Sequence, residues 1–573
     1  MIEQFTRHRV FWLLALASIA AIGLAVRLHG LTLTGIGGND TILYYSLAEQ
    51  WLEGNCVFSI GDSTQVFRPV LLAFNALALV LLGHTDYAIK LANTLLDTVN
   101  ILLVAALAHV FFRRRAATLA CAFTYALLPI AIWSSRQELA HTCSTFLALC
   151  AYLCVWLSNE CKGRRGGDVA IFLTGGFVAA ATLTHEDLIF LSIPLGLVVI
   201  LANRESDGRS AWLPSIRRAA FFASLPLIAA GSILARERER IGSVVSGPLK
   251  SDPDGGRNYF EVFGRFLWDV ILGSSSAIFV GLVLAAVAYA AHLQWKNRAR
   301  QSDHTLRWLG FCLLTPIVFV ALYALFFKTI FPRSFLLLMP LLLIAVIHAF
   351  DRAIDQMSEV RRGAALLTLV AIILLSSLAS YSAFNVGNRR FSKTWAAATW
   401  PTVANFKKGF GEFAFDARYR PNYATHWRML YEALKDRVDS RHRLLITPST
   451  AFYSAGRRAL QTDAYFGDDA VYLLDHVQES LAQVIAEKSI KTVVFTTGQN
   501  RPPPNVHARY LYDGQWADPE PIDLAASFGF PHYSVEQEFH AIARFLEAIG
   551  GTEILPFPSG SYEARHTRVW VLP

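Results

Sequence analysis

The sequence predicts a polytopic α-helical membrane protein of about 11–13 transmembrane helices with a C-terminal soluble α/β domain. Three observations predict it. The 573 residues are 54% hydrophobic and 17% charged, with a mean hydropathy of +0.37; a soluble domain averages about 45–50% apolar and about 25% charged. Apolar runs long enough to cross a bilayer recur from residue 10 to residue 384. Beyond about residue 385 the chain turns charged and turn-rich, with the run Pro502-Pro503-Pro504 and no membrane span. This composition excludes a disordered, collagenous or disulfide-framework chain and argues against a purely soluble enzyme. A net charge of +8 and a pI near 9.1 would suit a nucleic-acid partner. Here the basic residues concentrate in short loops between apolar runs, which is the positive-inside pattern of a membrane protein instead. The seven cysteines fall mostly inside apolar runs (Cys121, Cys143, Cys150, Cys154, Cys312), with Cys56 and Cys161 in loops, so they form no framework.

A crossing helix needs roughly 20 apolar residues. Val10–Val26 follows Arg7 and Arg9 and is too long for a signal peptide; Arg27-Leu28-His29 stands where small residues would mark cleavage. It reads as an uncleaved first helix. Further spans fall at 88–111, 117–133, 140–157, 169–183, 188–202, 219–235, 268–293, 307–327, 335–350 and 364–384. The stretch 69–83 begins at Arg68-Pro69 and reads as a re-entrant or interfacial helix.

Eleven spans place one set of loops on a common side: Arg7/Arg9, Arg113–Arg115, Lys162/Arg164/Arg165, Arg204/Arg209/Arg217/Arg218, Lys296/Arg298/Arg300 and Arg352/Arg361/Arg362. These are cytoplasmic by the positive-inside rule. The N-terminus is then cytoplasmic and the C-terminal domain lies outside. Within that domain Arg443–Thr447, Lys491–Thr497 and Thr567–Leu572 read as strands, and Asp469–Lys488 and Val535–Ile549 as helices. The expected domains are a membrane domain, 1–384, with a first outer loop at 27–87, and the outer domain, 385–573.

The unusual polar residues gather on the outer side. Asp40 lies in the first outer loop, Arg136 and Glu138 in the turn before the fourth span with His141 just inside it, His185-Glu186-Asp187 in the next outer turn, and Lys328 and Arg333 in a later one. Ionisable groups at span ends are costly unless solvated or paired, so a shared water-filled cavity is the economical explanation. Cations there suit phosphate oxygens and a carboxylate suits proton transfer. Plainer readings stand beside these. Arg136 reads equally as a snorkelling anchor, Glu138 as its ion-pair partner, and Asp40 as an N-cap for a helix from Thr41. His185-Glu186-Asp187 lacks zinc-site spacing and also reads as a helix cap. Arg236–Arg240 reads as a solvated, self-paired helix face.

The stretch Asp40-Thr41-Ile42-Leu43-Tyr44-Tyr45-Ser46-Leu47-Ala48, continued by Trp51-Leu52-Glu53-Gly54, resembles the first-loop signature of the GT-C glycosyltransferases. More narrowly it resembles the dolichyl-phosphate-mannose protein mannosyltransferase and aminoarabinose-transferase group. Asp40 takes the first acidic place of that pattern, and Tyr44, Ala48 and Gly54 follow in register. Phe67-Arg68-Pro69-Val70-Leu71 is similar to the group's Pro-Leu segment, Ser135-Arg136-Gln137-Glu138 to its Ser-Arg turn, and Pro332-Arg333-Ser334 through Leu338-Met339-Pro340-Leu341 to its late Pro-Arg segment. The similarity covers residues 1–384, and its motifs are short, so their order and sidedness carry it. Two departures stand out. Thr41 replaces the second acid of the pair, and the second carboxylate of the group would fall near Ala140 or His141, whereas the acid here is Glu138.

The resemblance implies a GT-C fold and an inverting transferase acting at the outer face. A polyprenyl-phosphate-linked sugar would be the donor, and a protein, lipid or glycan the acceptor. Asp40 would be the general base, with Glu138 or His141 placing base or sugar. Arg333, then Lys328, then Arg136 would hold the donor phosphate, and Tyr44, Arg68, His185, Glu186 and Asp187 would line the substrate cavity. No cofactor is expected, and a divalent metal stays open. The expected partners are the bilayer, the lipid-linked donor and the acceptor, with no nucleic acid. The expected location is a bacterial inner membrane with a periplasmic C-terminal domain. The alternatives are a transporter or flippase of lipid-linked sugars, a polysaccharide polymerase or ligase using a lipid-pyrophosphate donor, and a non-catalytic descendant.

Overall fold

A computed structural model describes residues 2–29, 31, 39–55, 58, 67–85, 87–137, 139–161, 165–204, 212–249, 276–296, 304–326, 332–385, 425–446, 466, 469–472, 481–496, 510–512, 515–517, 535–554 and 567–573, near some segment ends in backbone only. The chain divides into two compact units, residues 1–31 with 65–421, and residues 32–64 with 422–573.

The first unit is helical. Its elements are α1 (Ile2–Leu28), α3 (Pro69–Leu82), α4 (Ala88–Phe112), α5 (Arg115–Leu127), α6 (Pro129–Ser135), α7 (His141–Glu160), α8 (Arg165–Thr182), α9 (Ser192–Arg204), α10 (Trp212–Leu249), α11 (Ala277–Lys296), α12 (His304–Phe326), α13 (Met339–Ala353) and α14 (Glu359–Asn385). The helix between α1 and α3, α2 (Asn39–Leu52), belongs to the second unit. Among the described residues eight helices are long and apolar enough to cross a membrane, and nine if α5 and α6 form one span bent by 55°. The bend falls where Pro129 removes a backbone donor and holds Leu128 extended, at φ −66° and ψ 121°. The expected crossings at 169–183 and 188–202 correspond to the shorter helices α8 and α9. α3 has 14 residues, a rise of about 21 Å against a hydrocarbon core of about 30 Å. The span expected from 268 begins at Ala277, and residues 268–275 lie outside the described residues. α10 runs on to Leu249, past the end of its apolar stretch at Arg236.

The core of this unit is aromatic where α4, α7 and α12 meet. Phe111 stacks on Trp308 with ring centroids 4.3 Å apart, and Phe311 sets its edge against both Phe111 and Tyr152. Large apolar side chains such as Phe11, Leu81, Leu227, Leu284 and Leu367 face outward, as a lipid solvent allows. α8 and α10 approach so closely that a Cβ at Gly175 would overlap the Phe222 carbonyl oxygen.

Ion pairs sort the loops by end. Arg114 reaches Asp351 at 3.1 Å and Asp355 at 2.8 Å; Arg362 reaches the same two carboxylates at 2.5 and 3.1 Å. Arg218 pairs with Asp168 at 2.9 Å. The loops after α4 and α13 therefore meet at one end of the helices, as the charge pattern requires of two loops on a common side.

The second unit contains α2, α15 (Thr425–Leu434), α16 (Leu481–Glu487), α17 (Val535–Ala548) and a five-stranded sheet. The strands are β1 (Arg443–Ile446), β2 (Ala470–Tyr472), β3 (Ile490–Thr496), β6 (Thr552–Ile554) and β7 (Thr567–Val571), in the order β2-β1-β3-β7-β6; β4 (Tyr510–Tyr512) and β5 (Gln515–Ala517) form a separate pair. β1 runs parallel to β2 and β3, and β7 antiparallel to β3 and β6, setting Val493 opposite Trp570. Leu445, Val493, Phe495 and Trp570 bury against Leu481, Val484, Ile542 and Leu546 of the helices. The three strands expected from sequence are adjacent in the sheet. The helix expected over Asp469–Lys488 is corrected. Its first residues, Ala-Val-Tyr, pair with Leu444–Ile446 as β2, and helix is described only at Leu481–Glu487. β-branched and aromatic side chains beside a parallel partner favour the strand over the helical period.

Candidate functional site

One end of the helical unit collects the ionisable residues. α8 ends at Thr182, and a 3₁₀ turn, Glu186–Leu191, carries the chain into α9. The end of α8 is tied to the first turn of α7 by the Ser144 and Thr184 hydroxyls, 2.8 Å apart. That tie sets the rings of His141 and His185 side by side, with centroids 5.8 Å apart. His185 Nδ1 lies 2.5 Å from Asp187 Oδ1 and 4.0 Å from Glu186 Oε2. Asp187 is buried, whereas the His185 side chain keeps 19% of its surface exposed.

Arg68 closes this group. It precedes Pro69, which keeps it out of the helical region ahead of α3, at φ −128° and ψ 62°. Its guanidinium donates to Glu186 as a fork: Nη2 to Oε2 at 3.0 Å and to Oε1 at 3.3 Å, and Nε to Oε2 at 3.2 Å. Neighbouring Phe67 receives the Arg236 guanidinium 4.9 Å above its ring. Arg236 thus lies over an aromatic face rather than only beside its own helix's charges.

Beneath the group lies a buried polar layer. Arg27 Nη2 and Nε reach Asp97 Oδ2 at 2.7 and 2.8 Å, both side chains fully buried. The Tyr125 hydroxyl and Asn100 Nδ2 donate to Asp97 Oδ1 at 2.8 and 3.0 Å. Arg27 Nη1 donates to the carbonyls of Gly23 and Ala126, at 3.0 and 2.6 Å. The same face of α4 holds the turn before α7: Asn93 Nδ2 donates to the Gln137 carbonyl at 2.7 Å, Thr94 to Ser135 at 3.3 Å, and Asn100 to Thr142 at 3.3 Å. Gly23 permits the approach of α1, since a Cβ there would lie 2.5 Å from Ile101 Cδ1.

The structure thus brings together Arg68, His141, His185, Glu186 and Asp187. Arg136 lies in the turn held by Asn93 and Thr94 and is 2% exposed, so it does not snorkel to the surface. Glu138 and Lys328 lie outside the described residues. Arg333 is placed by backbone alone, in a 3₁₀ turn (Pro332–Leu338) that packs against α7. Asp40 is likewise placed by backbone, in the first turn of α2; the helix begins at Asn39, which removes the reading of Asp40 as a cap for a helix from Thr41. Tyr44, one turn later, is buried and belongs to the second unit. Among the described residues no three His, Cys, Asp or Glu side chains are grouped to hold a metal ion. Sequence reasoning missed Arg27, Asp97, Asn100 and Tyr125. The signal was present, since Asp97 interrupts an apolar run and Arg27 ends one.

No protein-family model and no curated protein matches the sequence. Among solved structures, similar chains include ArnT from Cupriavidus metallidurans bound to undecaprenyl phosphate, at 13% identity and a TM-score of 0.48, over 84% of this chain and 92% of that one. The Archaeoglobus fulgidus oligosaccharyltransferase is similar at 14% identity and a TM-score of 0.47, over 85% of this chain and 69% of that one. The oligosaccharyltransferase AglB of that organism, in complex with an inhibitory peptide and a dolichol-phosphate, is similar at 13% identity and a TM-score of 0.47, over 85% and 69%.

Proposed function

We propose that the protein is a membrane glycosyltransferase that moves a sugar from a polyprenyl-phosphate-linked donor to an acceptor at the outer face. The observation that carries this reading is the group at one end of the helical unit: Arg68, His141, His185, Glu186 and Asp187 come from segments far apart in sequence, and they converge there. Carboxylates and cations at the end of apolar helices suit a phosphate-bearing headgroup whose lipid tail stays in the bilayer. The sequence resemblance supplies the reaction class. An acceptor hydroxyl attacks the anomeric carbon and the lipid phosphate leaves with inversion. Asp40 is the general base, and Arg333, Lys328 and Arg136 are the phosphate ligands. Charge developing on the leaving phosphate is stabilised more in the transition state than in the ground state by cations already in place. The N-terminus is cytoplasmic, residues 385–573 are periplasmic, and the membrane is a bacterial inner membrane.

The test is transfer from a panel of radiolabelled polyprenyl-phosphate sugars by the full chain in lipid, comparing wild type with Asp40→Asn. Release of polyprenyl phosphate, lost in the variant while donor binding persists, supports the reading. Equal turnover removes Asp40 from the mechanism, and binding without turnover across the panel replaces transfer with transport.

A further inference from the structure

A histidine that only caps a helix end has no need of a buried carboxylate behind it. His185 has one: Asp187 Oδ1 occupies its Nδ1 at 2.5 Å, and the Asp187 side chain is 2% exposed. The ring is thereby fixed in rotation and keeps Nε2 as its remaining proton-bearing position. Among the described residues no protein group bonds that nitrogen, on a side chain that is 19% exposed. The charged groups around the ring come from several elements. Glu186 stands beside it, Arg68 is fixed behind Glu186, His141 faces it from α7, and Arg236 of α10 lies over Phe67. The described charges of α8 and α12, Asp168 and Arg307, lie toward the opposite end.

We propose that His185, oriented by Asp187, is the proton donor to the phosphate of the lipid substrate, with Arg68 as the fixed cation beside it. The inference rests on the transferase reading and gives the leaving group its acid. As the acceptor oxygen bonds to the anomeric carbon, the carbon–oxygen bond to phosphate breaks and its electron pair moves to the phosphate oxygen. His185 Nε2–H delivers its proton to that oxygen, while Asp187 holds the ring through Nδ1. The acceptor hydroxyl's proton passes to the base carboxylate and on to water, and His185 takes one back from water, so the cycle closes. Asp187 is a positioning residue; it reaches the phosphate only through the ring.

The experiment uses the full chain in nanodiscs with undecaprenyl phosphate as probe, its affinity followed by phosphorus NMR from mildly acidic to mildly alkaline pH. Wild type should lose about tenfold in affinity as His185 gives up its charge, the worth of one charge-assisted hydrogen bond. His185→Gln should sit at the lower level and keep only the pH dependence that comes from the probe's own phosphate. Asp187→Asn, which keeps the shape but removes the ring's carboxylate partner, should lose part of the same affinity. On any donor that wild type turns over, His185→Gln should fall about 10²–10⁴-fold and lose its alkaline limb. A His185→Gln protein with wild-type affinity and pH profile overturns the inference and leaves the transferase reading standing. A wild type that binds no undecaprenyl phosphate and turns over no donor overturns both.

Discussion

Asp97 holds three donors at once, from Arg27, Tyr125 and Asn100, in a place where no water replaces a lost partner. Asp97→Asn keeps the volume but leaves the Arg27 guanidinium buried without a counter-charge. The expected cost is about 3–5 kcal/mol, read as a fall in melting temperature of the detergent-solubilised protein. Replacing both partners by apolar residues of similar size, Arg27→Met with Asp97→Leu, should recover most of that loss, because no uncompensated charge remains. A double variant as unstable as Asp97→Asn would show that the pair does more than neutralise itself. At Glu186 the expectation differs in kind. Glu186→Gln takes the counter-charge from Arg68, whose side chain is 10% exposed, so a loss of stability smaller than that at the fully buried Asp97 should accompany a rise in KM for the lipid donor. These residues also mark what single positions disclose in a sequence. His185-Glu186-Asp187 was legible because ionisable groups sit against apolar flanks, and Arg68 only through the resemblance of its Pro-Leu segment. The Arg27–Asp97 pair was not, since each residue alone looks like a flank or an isolated interruption, and only the fold shows that 70 positions of sequence separation close to 2.7 Å.

At the scale of elements, helix lengths and contacts set the tolerances. Gly175 sits where α8 crosses α10 against the Phe222 carbonyl, whereas a Cβ at its neighbour Gly176 would find only Leu225 Cδ1, at 3.6 Å. Gly175→Ala should therefore cost about 1–3 kcal/mol and Gly176→Ala close to nothing, compared by thermal unfolding in one detergent. Equal melting temperatures would mean that the two helices separate freely. The loops after α4 and α13 carry a pH dependence with a defined sign. The Arg114 guanidinium, bonded to Asp355, holds that carboxyl below the ordinary range, and Asp355 in turn raises Arg114. The contribution of Asp355 is complete above about pH 4 and is lost as pH falls through its depressed folded value. Melting temperature should drop over that acidic window in wild type, and less so in Asp355→Asn. Elements were more legible than contacts. Long apolar runs located α4, α7 and α13 within a few residues. The segment 470–472 escaped because three residues are too few to show a period of two, and its partner strand lies more than twenty residues away.

For the whole molecule the question is which end of the helices faces which compartment, and the ion pairs narrow it. Arg114, Asp351, Asp355 and Arg362 fix the loops after α4 and α13 at one end, while His141 and His185 fix the turns before α7 and after α8 at another. Arg114 and Arg362, from two of the basic loops, lie at the first of these ends, and the proposed orientation puts that end in the cytoplasm by the positive-inside rule. Among the described residues the eight long helices and the bent α5–α6 pair make nine candidate spans of the eleven expected from the sequence; α8, α9 and α3 are shorter. Between the exposed residues Ser358 and Ala433 the described residues contain a single candidate span, Glu359–Leu378. Among the described residues one helix therefore decides whether the two positions face opposite compartments. In a cysteine-free background, Ser358→Cys should react with a membrane-impermeant maleimide only after the cells are permeabilised, and Ala433→Cys should react in spheroplasts left intact. Labelling of both from one side would place α14 outside the bilayer or add a crossing among residues 386–424, and would take the 422–573 unit away from the outer face. The opposite pair of outcomes, Ser358 labelled outside and Ala433 protected, would invert the chain and put Arg68 and His185 at the cytoplasmic leaflet. A donor presented from the periplasm would then never meet them.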